Sequence, residues 1–206
     1  MLEKLIVFVE EYSMEAALEL LLPKMLGGVE FQIIRFQCKP DLLKQLPARL
    51  KGYSSWLPES WSILVLIDRD DEDCITLKRQ MEAKAENAGL LTKTKAASGQ
   101  RFKVTNRIVI EELKSWYFGD WDAVQAAYTK VPKTVPKNAG YRHPDAIKGG
   151  TWEAFERVLK RAGYFSTGLR KIECARQVAQ YMKPQRNRSH SFKVFNEAIN
   201  SVLAWD

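Results

Sequence analysis

Two continuous apolar runs, Leu5-Ile6-Val7-Phe8-Val9 and Ile63-Leu64-Val65-Leu66-Ile67, each break off into acid. Glu10-Glu11 follows the first, and Asp68-Arg69-Asp70-Asp71-Glu72-Asp73 follows the second. Short apolar runs bounded by polar residues read as strands buried on both faces of a parallel sheet. Between them, residues 14–25 carry a helical period behind Ser13 as a candidate N-cap, and Gly27-Gly28 ends it. Alternation over residues 29–36 predicts a second strand and residues 41–50 a helix, while residues 53–62, with two Trp and a Pro, read as a packed loop. Residues 74–88 predict a helix closed by Gly89, residues 102–110 a fourth strand, and residues 111–118 a helix. This β-α succession predicts an α/β fold with a doubly wound, mostly parallel sheet.

Beyond Tyr128 the pattern changes. Residues 129–150, rich in Lys, Pro, Gly and Asn, read as a linker or extended excursion, followed by helices at 151–162, 171–182 and 192–203, the last capped by Ser191. The expected organisation is therefore an α/β core over residues 1–128 and a basic, mainly helical region over 129–206, packed near the open end of the sheet.

Charge sharpens that division. Residues 1–128 hold 17 Lys and Arg against 19 Asp and Glu, and residues 129–206 hold 15 against 6, so the net +7 belongs to the C-terminal third. A basic region beside an acidic, metal-friendly site is what a phosphodiester substrate requires. The apolar fraction of 46% and the modest Pro and Gly content argue for a globular rather than a disordered chain. No stretch approaches the roughly 18 apolar residues of a spanning helix, and the opening apolar run is too short for a signal peptide. Three widely spaced cysteines, Cys38, Cys74 and Cys174, favour a reduced, cytoplasmic protein.

In open α/β sheets the site lies outside the carboxyl ends of the strands, where both acidic clusters fall. Carboxylates gathered there repel one another unless a cation sits among them, and hard oxygens suit Mg²⁺ or Mn²⁺. Held by Glu10, Asp68 and Asp70, such an ion can activate water and stabilise a leaving oxygen, which is phosphoryl-transfer chemistry. Asp71 is a further metal candidate, or it caps the following helix together with Asp73. Glu111, at the end of the fourth strand, is another, with an N-terminal helix charge as the alternative.

The stretch Val9-Glu10-Glu11-Tyr12-Ser13-Met14-Glu15 together with Asp68-Arg69-Asp70 resembles the Toprim superfamily of topoisomerases, primases, OLD-type nucleases and small ribosomal-RNA-maturation nucleases. The resemblance implies Glu10 as acid, base or metal-shell residue and Asp68 and Asp70 as Mg²⁺ ligands. Many Toprim sequences place Gly directly after the Glu. Here that position is Glu11, so either the turn is built differently or Glu11 adds its own carboxylate to the catalytic set. Residues 9–18, 65–74, 107–120 and 186–195 further resemble a family of Toprim-like proteins of about this length, encoded beside ABC-type or SMC-like ATPases in bacterial defence loci. That resemblance implies a metal-dependent nuclease of an anti-phage system, controlled by a partner ATPase.

A second dense cluster is Arg186-Asn187-Arg188-Ser189-His190-Ser191-Phe192-Lys193. Its Arg186, Arg188, Ser189, His190, Ser191 and Lys193 are candidate nucleic-acid contacts, since guanidinium groups grip phosphate bidentately. The alternative is a basic loop whose Ser191 caps the last helix. Trp116 and Tyr117 read as core residues, and Trp56 and Trp61 as a pair held by packing rather than by base stacking. No Walker A motif, dinucleotide fingerprint or zinc spacing is present. The leading expectation is a Mg²⁺-dependent nuclease on DNA or RNA. The alternatives are a non-catalytic nucleic-acid-binding or regulatory subunit of an ATPase complex and, third, a topoisomerase-like activity.

Overall fold

A computed structural model describes residues 1–204 except Asp71 and Glu111, with Glu112 described in its backbone only. Four parallel strands form one sheet: β1 (Lys4–Val9), β2 (Glu30–Arg35), β3 (Trp61–Asp68) and β4 (Val104–Val109), in the order β2-β1-β3-β4. The helices are α1 (Tyr12–Met25), α2 (Lys39–Ser54), α3 (Cys74–Asn87), α4 (Glu112–Gly119), α5 (Trp121–Ala127), α6 (Thr151–Arg161), α7 (Lys171–Tyr181) and α8 (His190–Leu203). The α/β architecture read from the pattern is the one found. No helix among the described residues is long and apolar enough to cross a membrane.

The chain divides into two compact units. The first comprises Met1–Glu11, Leu26–Ile108 and the described residues from Glu197 onward; the second comprises Tyr12–Met25 and Val109–Asn196. This differs from the boundary expected after Tyr128. The physical reason is that α1 packs on α7, and α4 and α5 pack with α6 and α7, so the early helix and the C-terminal helices share one core.

In the first unit, Lys4–Val9 of β1 pairs with Glu30–Arg35 of β2 on one side, and residues 4–8 pair with residues 61–65 of β3 on the other. Ile6, Phe8, Ile63, Val65 and Ile67 meet Leu42, Leu46 and Leu50 of α2 and Leu77, Met81 and Ala85 of α3 in one core. The alternate residues Leu5, Val7, Val9, Leu64 and Leu66 are equally buried. Both sets being inside explains why the strands read as unbroken apolar runs.

In the second unit, Lys24 Nζ donates to the carbonyls of Ala179 (2.8 Å), Gln180 (2.7 Å) and Met182 (3.1 Å), closing the end of α7. Trp116 stacks on Phe195 with ring centroids 4.9 Å apart and meets Phe192 edge-on at 5.0 Å, so the core role expected of Trp116 holds. Residues 129–150 are not a loose linker. They form three short 3₁₀ turns that bury Val131, Val135, Pro144 and Ile147. Helix α5 escaped the pattern because seven residues capped by Asp120 are too short to show a period. Helix α1 starts at Tyr12, which places the expected cap Ser13 inside its first turn.

Gly119 ends α4 where the backbone of Ser189 crosses it. A Cβ there would fall 2.7 Å from the Ser189 nitrogen and 2.8 Å from the Ser189 Cβ, and would collide with Asn187 Oδ1. Gly119→Ala is therefore expected to cost about 1–2 kcal/mol, read as a lower urea midpoint. Gly52→Ala is the control. It lies in α2 with nothing within 4 Å of the added carbon, so it should be neutral or slightly stabilising.

Candidate functional site

The strand order makes the site. The chain leaves β1 for β2 on one side and returns to β3 on the other, so the carboxyl ends of β1 and β3 form the switch point where open α/β sheets bind ligands. Glu10 directly follows β1 and Asp68 ends β3, and both are buried. The Asp68 amide donates to Glu10 Oε1 at 2.6 Å. That bond crosses from one strand end to the other and fixes the Glu10 carboxyl against the backbone of β3.

Burial pushes the Glu10 carboxyl up to about 7. The Asp68 amide and Lys39 pull it down, while Asp70 and Glu11 add to the rise. Asp70 adopts a left-handed backbone with φ +50°, a conformation Asp tolerates better than most residues, and turns the chain sharply after β3. Glu11 has no positive φ. The turn after β1 is thus built without the left-handed residue that a glycine would supply, and the Glu11 charge still acts on the Glu10 carboxyl.

One residue of the site was missed from the sequence. Lys39, the first residue of α2, is buried with its ammonium among oxygens of the segment after β3. Lys39 Nζ donates to the carbonyls of Asp68 (2.7 Å) and Arg69 (2.9 Å) and meets Asp70 Oδ2 at 3.2 Å and Glu72 Oε1 at 2.8 Å. Burial by itself would lower this ammonium, but Glu72 and Asp70 outweigh it and leave it above its ordinary value. The helix was expected to begin at residue 41. Pro40, a residue favoured in the first helical turn, starts it two residues earlier and brings Lys39 to the mouth of the sheet.

Among the remaining acidic candidates, Asp73 caps α3, its Oδ1 accepting from the Thr76 amide at 2.8 Å. Asp71 and Glu111 lie outside the described residues. Among the described residues, no group of three or more His, Cys, Asp or Glu side chains is gathered as a ready metal centre. The donors at this place are hard oxygens, the donor type that Mg²⁺ takes: the carbonyls of Asp68 and Arg69 and the carboxylates of Asp70 and Glu72 hold the positive charge of Lys39, and the buried carboxyls of Glu10 and Asp68 lie at the same strand ends.

The basic cluster belongs to the second unit. Ser189 and Ser191 are buried and bound internally. Ser189 Oγ donates to Asp145 at 2.8 Å and accepts from the Phe192 amide, so Ser189, not Ser191, caps α8. Ser191 Oγ accepts from Trp116 Nε1 at 3.0 Å. Asp145 also takes the amides of His190 (2.6 Å) and Ser191 (3.2 Å), an acid at the positive end of the helix. These contacts make Ser189 and Ser191 structural, which corrects their expected place among nucleic-acid contacts: their hydroxyls face the protein.

Arg186 is likewise engaged. Its Nε meets the fully buried Asp120 at 2.7 Å and its Nη1 lies 3.5 Å from Asp122. Arg188, His190 and Lys193 remain exposed. Arg188 borders a cleft of about 340 Å³ that is also lined by Lys133, Lys137, Asp120, Asp122 and Arg186. Lys133, Lys137 and Arg188 make no ion pair with another described residue. Residues 133 and 137 lie in the stretch read as a linker, so no local pattern joined them to Arg188.

Compared with known proteins, no curated protein and no solved structure matches the chain. One family profile does, described as a domain of unknown function (DUF4276), and its match runs over residues 9–201, from the end of β1 to the last turns of α8. The chain is therefore a member of the DUF4276 family.

Proposed function

We propose that this protein is a Mg²⁺-dependent, Toprim-like nuclease that cleaves phosphodiester bonds in DNA or RNA. The observation that carries the reading is the bond joining Glu10 to the Asp68 amide, which sets two buried carboxylates at the switch point of a parallel sheet. Glu10, Asp68 and Asp70 would hold the ion. When bound, it supplies an activated water and charge for the leaving oxygen. Glu10 would keep Oε1 on the Asp68 amide and use Oε2 as a metal-shell oxygen or to exchange a proton. The Asp68 backbone is clamped on both sides, its amide by Glu10 and its carbonyl by Lys39, so the Asp68 carboxylate is held on a rigid strand end.

Lys133, Lys137 and Arg188 would hold the phosphate backbone. Replacing each singly by Ala should weaken binding about equally across sequences and lower the slope of log affinity against log salt by roughly 1. Fluorescence anisotropy on labelled duplex and single strand reads this directly. An unchanged slope in all three variants removes the cleft from the interface.

The resemblance to Toprim-like proteins beside ABC-type or SMC-like ATPases supports a place as the effector of an anti-phage system, controlled by a partner ATPase. Three free cysteines support action in the cytoplasm. The ammonium seated among the acids favours a second reading, a non-catalytic regulatory subunit of such an ATPase complex. The test is incubation with Mg²⁺ or Mn²⁺ and a panel of plasmid, linear DNA, single strands and tRNA, with the partner ATPase present and absent. Cleavage lost in Asp68→Ala sustains the nuclease. No cleavage under either condition, with ATPase binding lost in Asp68→Ala, replaces it by the regulatory reading.

A further inference from the structure

Lys39 stands where a cation is least expected. It opens α2, and the N-terminus of a helix carries the positive end of its dipole. Its side chain is 9% exposed, and a buried ammonium persists only when its surroundings compensate it. Those surroundings are the carbonyls of Asp68 and Arg69 and the carboxylates of Asp70 and Glu72, at 2.7–3.2 Å.

Two features of this cage go beyond what an ammonium uses. Four oxygens face a group with three N–H donors, so one contact is an ion pair without its own hydrogen bond. Asp70 and Glu72 also bring two negative charges to one positive charge, and Glu10 and Asp68 lie at the same strand ends. Hard divalent cations use more oxygens than four and carry the second charge.

We propose that Lys39 is a built-in counter-cation and that its ammonium and a divalent cation compete for the oxygens of Asp68, Arg69, Asp70 and Glu72. This rests on the metal-site reading given under the proposed function and adds its regulation. With the ammonium seated, Asp70 is held to Lys39. A divalent ion gains Asp70 only as Lys39 lets it go. The acidic cluster is thereby partly neutralised without metal, and its metal affinity is set by how firmly Lys39 is held.

The test is thermal unfolding of the full chain with EDTA and with millimolar MgCl₂, for wild type, Lys39→Met and Lys39→Arg. Lys39→Met, which keeps the chain length and removes the charge, should unfold lower in EDTA. Mg²⁺ should then raise its midpoint by about 5 °C or more, at least twice the rise in wild type. Lys39→Arg should respond as wild type does. An Mg²⁺ response of Lys39→Met no larger than that of wild type overturns the proposal.

Should Lys39→Met fail to fold, acetylation of wild-type lysines read by mass spectrometry decides. Lys39 should react several-fold faster in Mg²⁺ than in EDTA. Lys24, whose ammonium is held by three carbonyls, should not change. Equal Lys39 reactivity with and without Mg²⁺ overturns the proposal. The two readings fail separately. Cleavage by wild type without the Mg²⁺ effect at Lys39 sinks the competition and leaves the nuclease, whereas the Mg²⁺ effect without cleavage does the reverse.

Discussion

Glu10→Gln and Asp68→Asn are each expected to lower cleavage by about 10³-fold or more while leaving the far-ultraviolet circular dichroism unchanged. Both substitutions keep volume and remove a carboxylate. In Glu10→Gln the amide oxygen can still accept the Asp68 N–H, so the clamp between β1 and β3 survives and only the proton-exchanging, cation-binding oxygen is lost. General acid–base catalysis alone contributes about 10²–10⁴-fold, and charge held for an ion adds to it. The measurement is single-turnover cleavage of whichever substrate the panel identifies, at saturating Mg²⁺. Full activity in Glu10→Gln would remove Glu10 from the chemistry and reduce it to the clamp.

The second large effect is on stability, and its sign follows from the Glu10 carboxyl lying at about 7 in the folded protein against an ordinary 4.5. Below pH 4.5 the group is protonated in both states and costs nothing. As pH rises from 4.5 toward 7, the unfolded carboxyl ionises while the folded one resists, so stability is lost across that window. Above pH 7 the full penalty remains, about 3 kcal/mol. Glu10→Gln carries no such penalty. In EDTA it should therefore unfold at nearly the wild-type temperature at pH 4.5 and several degrees higher at pH 8, since about 1 kcal/mol moves the midpoint of a chain this size by about 2–4 °C. A gain that does not grow with pH would mean that Glu10 is not held protonated near neutrality.

These two results pull in opposite directions at one residue: the acid that lowers stability is the one the reaction is proposed to need. Strained or uncompensated groups are expected at functional sites, where stability is given up for chemistry. Lys39 partly relieves that cost in the same cage. It lies close enough to lower the Glu10 carboxyl and is hydrogen-bonded to the Asp68 carbonyl.

The role of the basic cluster changes most between sequence and structure. As a string, Arg186 to Lys193 offers cations and hydroxyls at phosphate-binding density. In the fold, Asp145 and Trp116 claim the serines and Asp120 claims Arg186, because the loop must both enter α8 and pack against α4. What remains exposed is Arg188, His190 and Lys193, and of these Arg188 borders the cleft with Lys133 and Lys137. A residue's capacity to bind a ligand is legible from its type. Its availability depends on which internal partners reach it first.

By itself the sequence determined the elements whose signal is local. The unbroken apolar runs, short and bounded by polar residues, read as strands covered on both faces, as in a parallel sheet. The acids following them had to fall at the carboxyl ends of those strands, and Glu10 and Asp68 were legible for that reason. The tertiary structure alone decided what joins residues far apart in the chain. It placed Lys39 among oxygens some 30 positions downstream, grouped α1 with the C-terminal helices, and set Asp145 on the first turn of α8. The physical reason is the same in each case. Periodicity reports which face of one element is buried, whereas an ion pair or a cap is satisfied by whichever group the packing of several elements brings within about 3 Å.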